Sequence, residues 1–323
     1  MSGKNRSAQL PVHDKNTLPP QEVIDLFKTA FNDELYLEED KEKLHGEIQG
    51  VKGDLYNRDY AAAFGDEVKR IAYCCRWSPS RATAYGSLFA HFPEITDVFT
   101  CAESDQSVLC IGGGAGSELI AMASIFAPTR TFTSKYSKDL TAEGNQEKST
   151  LTINLVDIAD WSNVLKKLTD QIEDRWLYGG EMKYFDIKFN HKSILQMDAS
   201  EMVLSKLNLI TLLFTTNELF TEHKAESIRL LQKFNQNCNS GCHLLIVESA
   251  GSYSHITIGT KKFPIHFLID TILVGKKGTK TVEEGSWTLV DENDSIWYRG
   301  DTKLDYPMKL ENMRFFYRLY RKN

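Results

Sequence analysis

Apolar positions first recur at helical spacing. Val23, Ile24, Phe27, Ala30 and Phe31 fall on one face of a helix that starts at residue 21. The charged stretch 37–47 is expected to continue as helix with a solvated surface. Residues 55–64 and 71–81 interleave aromatic and cationic side chains, which a helix used only for packing does not need. Ser78-Pro79 predicts a helix break, with a new helix running to Phe92.

From residue 107 the pattern becomes short apolar runs alternating with amphipathic ones. It predicts strands at 107–111, 151–156, 184–189, 208–214 and 243–247. Helices are expected at 117–126, 161–176, 222–234 and 264–273, the last with Pro264 in its first turn. Residues 287–299 and 313–320 alternate like antiparallel strands that close a sheet. Strands alternating with helices in this way specify an open, mainly parallel α/β sheet. The polar segment 129–149 reads as a long surface loop, and 1–20, with Pro11, Pro19 and Pro20, as a flexible tail. The expected organisation is a tail at 1–20, an N-terminal helical extension at 21–100 and a core domain at 101–323.

Composition narrows the class. At 41% apolar and 25% charged residues over 323 positions, the chain matches globular proteins. It has no apolar run of membrane-spanning length and no signal-peptide pattern at Met1. Six scattered cysteines fit a reducing compartment better than a disulfide framework. The net charge of −6 argues against wholesale coating of nucleic acid. The segment from Tyr253 to Asn323, however, carries 12 Lys+Arg against 9 Asp+Glu, so a local basic face remains open to RNA. Lys261, Lys262, Lys276, Lys277 and Lys280 form a basic cluster for which a solvated surface is the favoured explanation. Cys238, Cys242 and His243 lack a second ligand pair, and no metal is expected.

The run from Val108 to Glu118 is strand, glycine turn and helix start. A sharp turn that lets a ligand approach the backbone requires residues without Cβ, and the following helix offers free N–H groups. A dinucleotide fingerprint starting at Gly112 or Gly114 would end on Ser117 or Leu119, neither of them glycine. The spacing Gly112, Gly114, Gly116, with Gly113 between, fits the G-x-G-x-G loop of S-adenosylmethionine (SAM) enzymes instead. A valine at Gly114 is expected to intrude on the methionine space. Asp157 ends the second strand, where a carboxylate can accept from ribose hydroxyls; Asp160 competes with it, and either can be a helix cap. Asp198 and the backbone N–H of Ala199 follow the third strand and are candidates for the adenine, with a capping role again open for Asp198.

Four stretches resemble the fungal large-subunit (25S) ribosomal RNA uridine-N3 methyltransferases, a branch of the class I methyltransferases. They are Leu55-Tyr56-Asn57-Arg58-Asp59, Arg76-Trp77-Ser78-Pro79-Ser80-Arg81, the loop from Gly112 to Glu118, and Thr215-Thr216-Asn217-Glu218-Leu219-Phe220. The resemblance runs from about Leu55 onward. It implies a Rossmann-like α/β fold with a seven-stranded sheet containing one antiparallel strand, SAM as donor and ribosomal RNA as substrate. It also implies a ribosomal or pre-ribosomal partner and action in the nucleus, nucleolus or cytoplasm. No membrane or metal partner is expected, and the chain is expected to be a monomer. One departure stands out. Cys110 occupies the position, two before the first glycine, where most class I enzymes carry an acid; Glu118 is the candidate replacement near the methionine amino group.

The residues after the fourth strand should lie beside the transferred methyl, where open α/β sheets bind ligands. They form neither an Asn-Pro-Pro-aromatic motif nor a cysteine nucleophile site, which favours a ring nitrogen as target. Glu218 is the candidate base, Asn217 a partner for the base edge, and Phe214 or Phe220 a stacking surface, although core packing is the stronger expectation for Phe214. Arg58, Arg76 and Arg81 with Trp77 offer phosphate and stacking contacts; the same segment can instead cover the cofactor. The competing readings are a class I methyltransferase of a protein or small molecule, and a non-catalytic ribosome-assembly factor that keeps the fold.

Overall fold

The computed structural model describes residues 8–101, 103–130, 148–251, 255–258, 260–275 and 286–323. Most of the expected loop at 129–149 lies outside them, as do Lys276, Lys277 and Lys280. Six helices come first: α1 (Pro20–Ala30), α2 (Asn32–Tyr36), α3 (Glu38–Tyr56), α4 (Tyr60–Phe64), α5 (Glu67–His91) and α6 (Pro93–Thr100). The alternating part runs β1 (Gln106–Ile111), α7 (Ser117–Phe126), β2 (Leu151–Asp157), α8 (Ser162–Arg175), β3 (Phe185–His191) and β4 (Leu209–Leu213). It continues with α9 (Thr216–Glu222), α10 (Lys224–Asn237), β5 (His243–Ser249), a hairpin β6 (His255–Ile258) and β7 (Lys261–Pro264), and α11 (Ile265–Leu273). β8 (Trp287–Tyr298) and β9 (Met313–Lys322) end the chain.

Seven strands form one sheet in the order β3-β2-β1-β4-β5-β9-β8. β9 alone runs against the rest, pairing antiparallel with both β5 and β8. This is the Rossmann-like, mainly parallel sheet expected from the pattern. Alternate residues of β1 show why it is buried on both sides. Val108 and Cys110 join one cluster with α5, α7 and α8, whereas Leu109 and Ile111 join a second cluster with α10 and α11. The N-terminal helices belong to the first cluster, where Phe27, Tyr85 and Phe89 pack in one core with the sheet.

Two expectations need correction. The described part of the N-terminal segment is not a free tail: Gln9 bridges Trp297, Leu10 N donates to Trp297 O at 2.8 Å, and Leu10 and Leu18 are buried. Two apolar side chains and an added edge pairing outweigh the polar composition that suggested freedom. Pro79 does not break the helix; it lies inside the continuous α5. A proline there removes the donor to the carbonyl four residues back, that of Cys75. The Tyr306 hydroxyl donates to this carbonyl at 2.5 Å, so the helix continues without an orphaned group.

Candidate active site

The carboxyl ends of β1, β2 and β4 surround a cavity of about 220 Å³. Gly112, Gly113, Ala115 and Gly116 form its floor. Gly112 and Gly116 have φ of +77° and +78°, in the left-handed region that favours glycine. Packing adds a second requirement. A Cβ on Gly112 would sit 2.0 Å from Thr215 Cγ2, and one on Gly116 would sit 2.2 Å from Leu168 Cδ1. Helix α5 clamps the same loop, with the Ser78 hydroxyl donating to the Ala115 carbonyl at 2.8 Å.

Gly114 behaves differently from expectation. It does not line the cavity; its N–H donates to Asp157 Oδ2 at 3.1 Å. A Cβ there would lie 1.9 Å from Trp161 Cδ1, so a side chain would meet the indole and not an open methionine space. Asp157 lines the cavity at the end of β2 and also accepts from Ala159 N at 3.0 Å. Burial raises its pKa against these hydrogen bonds. Asp160 instead caps the turn into α8 through Ser162.

Glu118, in the first turn of α7, is buried and lines the cavity. Its Oε1 accepts from the Thr211 hydroxyl at 2.6 Å, and burial pushes its pKa up to about 8. A Cβ on Gly113 would be 3.0 Å from both Glu118 Oε2 and Cys110 Cβ. The carboxylate that Cys110 does not provide is thus supplied at the same spot from the facing helix.

Glu218 also lines the cavity, and burial pushes its pKa up to about 7, with repulsion from Glu222, Asp157 and Glu248 adding to the shift. Asn217 does not line the cavity; its backbone N–H donates to the buried Glu248 at 3.0 Å. Phe214 does line it, with φ +61°, uncommon for a bulky residue. Its ring stacks on Tyr85, meets Phe315 edge-on and lies 5.2 Å from the Arg81 guanidinium. Arg81 also donates to the Tyr73 hydroxyl and lines the cavity.

Several candidates are placed elsewhere. Asp198 is fully exposed to solvent, and its carboxylate accepts from the backbone N–H groups of Ser200 (2.9 Å) and Glu201 (2.8 Å). It serves its own turn, and Ala199 packs against the second core cluster. The segment after β3 reaches the cavity earlier, through Lys192, Ser193, Ile194 and Leu195. Phe220 is buried in the core, because Thr216 and Phe220 share the inner face of α9, and it cannot stack on a ligand. Arg76 is held within the protein by Glu311 and the Lys309 carbonyl. Trp77 faces a second cavity, and Arg58 is exposed, its charge felt at Tyr60.

Residue patterning did not single out Tyr85, Trp161 or Glu248, and took in Tyr60 only as one member of the aromatic and cationic stretch 55–64. Tyr60 directly follows a quoted stretch, and Trp161 lies four residues beyond Asp157, but neither position has a spacing that signals a site.

A model of a SAM-dependent methyltransferase family matches residues 27–321. The chain belongs to this family. The methyltransferase is 61% identical to the 25S rRNA (uridine(2843)-N(3))-methyltransferase of Saccharomyces cerevisiae, over 98% of this chain and 89% of that protein. Solved structures with remoter similarity include the N-methyltransferase NodS from Bradyrhizobium japonicum WM9 in complex with S-adenosyl-L-homocysteine. It is 13% identical, with a TM-score of 0.37, over 85% of this chain and 98% of that one. An rRNA methylase from Streptococcus thermophilus is 10% identical, with a TM-score of 0.34, over 70% and 93% respectively.

The residues of the cavity fit SAM. Two carboxylates, Glu118 and Asp157, are driven toward their neutral forms by burial at the edge of one glycine loop. An ammonium group and vicinal hydroxyls are the partners that such carboxylates accept. Among the described residues, no group of three or more His, Cys, Asp or Glu side chains could hold a metal ion, and no helix is long and apolar enough to cross a membrane.

Proposed function

We infer that the protein methylates N3 of a uridine in large-subunit ribosomal RNA, with the equivalent of the uridine named for the yeast relative as the expected target. Ribosomal RNA or a pre-ribosomal particle is then its partner, and the nucleus, nucleolus or cytoplasm its place of action. We take the active form to be a monomer that needs no metal.

The observation that carries this reading is the Glu218 carboxyl, held near pKa 7 in the cavity of the glycine loop. Bound SAM supplies a methyl group already activated on a sulfonium. The protein's task is to align the acceptor and to manage one proton. Uridine N3 carries a weakly acidic imide proton, which must leave for the nitrogen lone pair to form the new bond. Glu218, ionised in part at neutral pH, accepts it; a base with pKa near the working pH is the efficient choice. Phe214 and Tyr60 border the same space and exclude water from it. Glu118 and Asp157 hold the donor through its amino group and ribose, and Lys192 to Leu195 flank the adenine.

The test is direct. Purified protein, SAM and large-subunit rRNA are incubated, the RNA is digested and its nucleosides are separated by mass spectrometry. N3-methyluridine should appear only in the reactions that contain the protein. If the methyl group passes to a protein or metabolite while the nucleosides stay unmodified, the RNA assignment is wrong.

A further inference from the structure

A second cavity, of about 230 Å³, lies beside the first, and the two share Arg81 and Phe214 as a common wall. Its other sides are Trp77 and Ser80 of α5 and the run from Glu311 to Arg314 that leads into β9. β9 is antiparallel to β5, so Phe315 pairs with Ser249 at the carboxyl end of β5. The second cavity therefore sits on the same sheet edge as the cofactor loop.

We propose that this cavity is a nucleotide subsite, holding a base of the RNA that flanks the methylated uridine; the inference rests on the RNA reading above. Trp77 is partly buried and offers an indole for base stacking, which tolerates any base because each has a π-face. The charge is suitable for a phosphodiester. Glu311 is neutralised by Arg76, while Arg81 and Arg314 both line the space. Arg314 is exposed and steadied by a 2.8 Å hydrogen bond from Nε to the Ser295 hydroxyl and by the Trp297 ring. Asn312 uses its amide oxygen to accept from Gly300 N at 3.2 Å, which leaves its NH2 group to donate to a base carbonyl.

The walls are pre-formed. Glu311 N donates to the Ser80 hydroxyl at 2.9 Å, which ties the run before β9 to α5. Phe214 stays at positive φ because Val247 O accepts from its N–H at 2.8 Å while Tyr85 and Phe315 fix its ring. A strand of RNA passing over this wall would have neighbouring bases separated by an aromatic ring and a guanidinium. That separation is what extrusion of one base requires.

Steady-state kinetics on an rRNA fragment that wild type methylates, intact or abasic on one side of the target, tests the proposal. Removal of the flanking base should raise the wild-type KM about tenfold with kcat little changed. Trp77→Ala should show that same rise on intact RNA and no further rise on the abasic fragment. Because Trp77 also packs against the core, a second variant is needed. Arg314→Glu, at an exposed position, should raise KM for intact and abasic RNA alike and weaken its salt dependence, with SAM affinity within about twofold of wild type. An abasic penalty that persists in full in Trp77→Ala, or an unchanged RNA KM in Arg314→Glu, overturns the subsite. If wild type methylates no RNA at all, the underlying reading fails first, before any variant is compared.

Discussion

The Tyr306 hydroxyl donates to the Cys75 carbonyl, the acceptor that Pro79 leaves without a donor inside α5. Two segments about 230 residues apart in sequence thereby keep continuous the helix that carries Tyr73, Ser78 and Arg81 into the active site.

Tyr306→Phe should cost about 1–2 kcal/mol of stability, because it strands a carbonyl in a largely dry setting. Pro79→Ala restores an N–H to that carbonyl, so the double variant should be more stable than the sum of the single effects predicts. Denaturant melts of the four proteins measure the coupling. Strict additivity would mean that the hydroxyl does not compensate for the proline.

Glu118 makes SAM binding depend on pH. Its pKa of about 8 in the folded, ligand-free protein means that the carboxyl is mainly neutral at pH 7. An ammonium partner favours the ionised form, so binding should release close to one proton at pH 7, and affinity should climb toward pH 8 before levelling. Calorimetry in buffers of different ionisation enthalpy reports the proton. Stability follows the opposite sense. The pKa is raised above its ordinary value of 4.5, so the free protein loses stability as pH rises from about 4.5 through about 8. Glu118→Gln should abolish the proton release, weaken SAM and raise the melting temperature of the free protein at pH 8.

Glu218→Gln should lower kcat by about 10²–10³-fold while leaving SAM affinity within about twofold. In the wild-type enzyme kcat/KM for RNA should fall about tenfold per unit below pH 7, because protonation of a group with pKa about 7 in the free enzyme removes the base. The variant should lose that acid limb. Stopped-flow single turnovers across pH 5.5–8.5 separate this limb from product release, and an unaltered limb in the variant assigns the proton to another group.

Gly114→Ala places a methyl 1.9 Å from the Trp161 indole. We expect the loop to shift, the Asp157–Gly114 hydrogen bond to be lost and SAM affinity to fall at least tenfold, about 1.4 kcal/mol. Trp161→Ala alone should cost about 3–5 kcal/mol of stability as a cavity. In the Gly114→Ala background it should cost clearly less, since the clash disappears with the ring. Equal costs in both backgrounds would show that the indole does not limit this position.

Much of the fold was legible because it depends on local periodicity. The runs at 107–111 and 208–214 are apolar without alternation, as strands buried on both faces must be, and Ser117–Phe126 appears where the glycines end. Within the site, the glycine loop, Glu118, Asp157 and Glu218 all line the cavity apart from Gly114, because their positions follow from the ends of predicted strands. Asp198 and Phe220 were misplaced for one shared reason. A turn carboxylate that caps its own N–H groups and one that binds a base look alike in sequence, as do an inward and an outward phenylalanine on a seven-residue helix.

The amino-acid sequence alone determined the alternation of the core strands and helices, though not the β6–β7 hairpin, α9 or the unbroken α5, together with the bare-backbone bend after the first strand and the motifs that carry the family resemblance, since each rests on neighbours within a few residues of one another. Only the tertiary structure decided which groups meet: Tyr306 at Cys75, Trp161 over Gly114, Glu118 beneath the Cys110 position, and Arg81 between two cavities. The contact of Tyr306 with Cys75 joins residues 231 apart, and the energies of these contacts come from shape and desolvation, which exist only once the chain has packed.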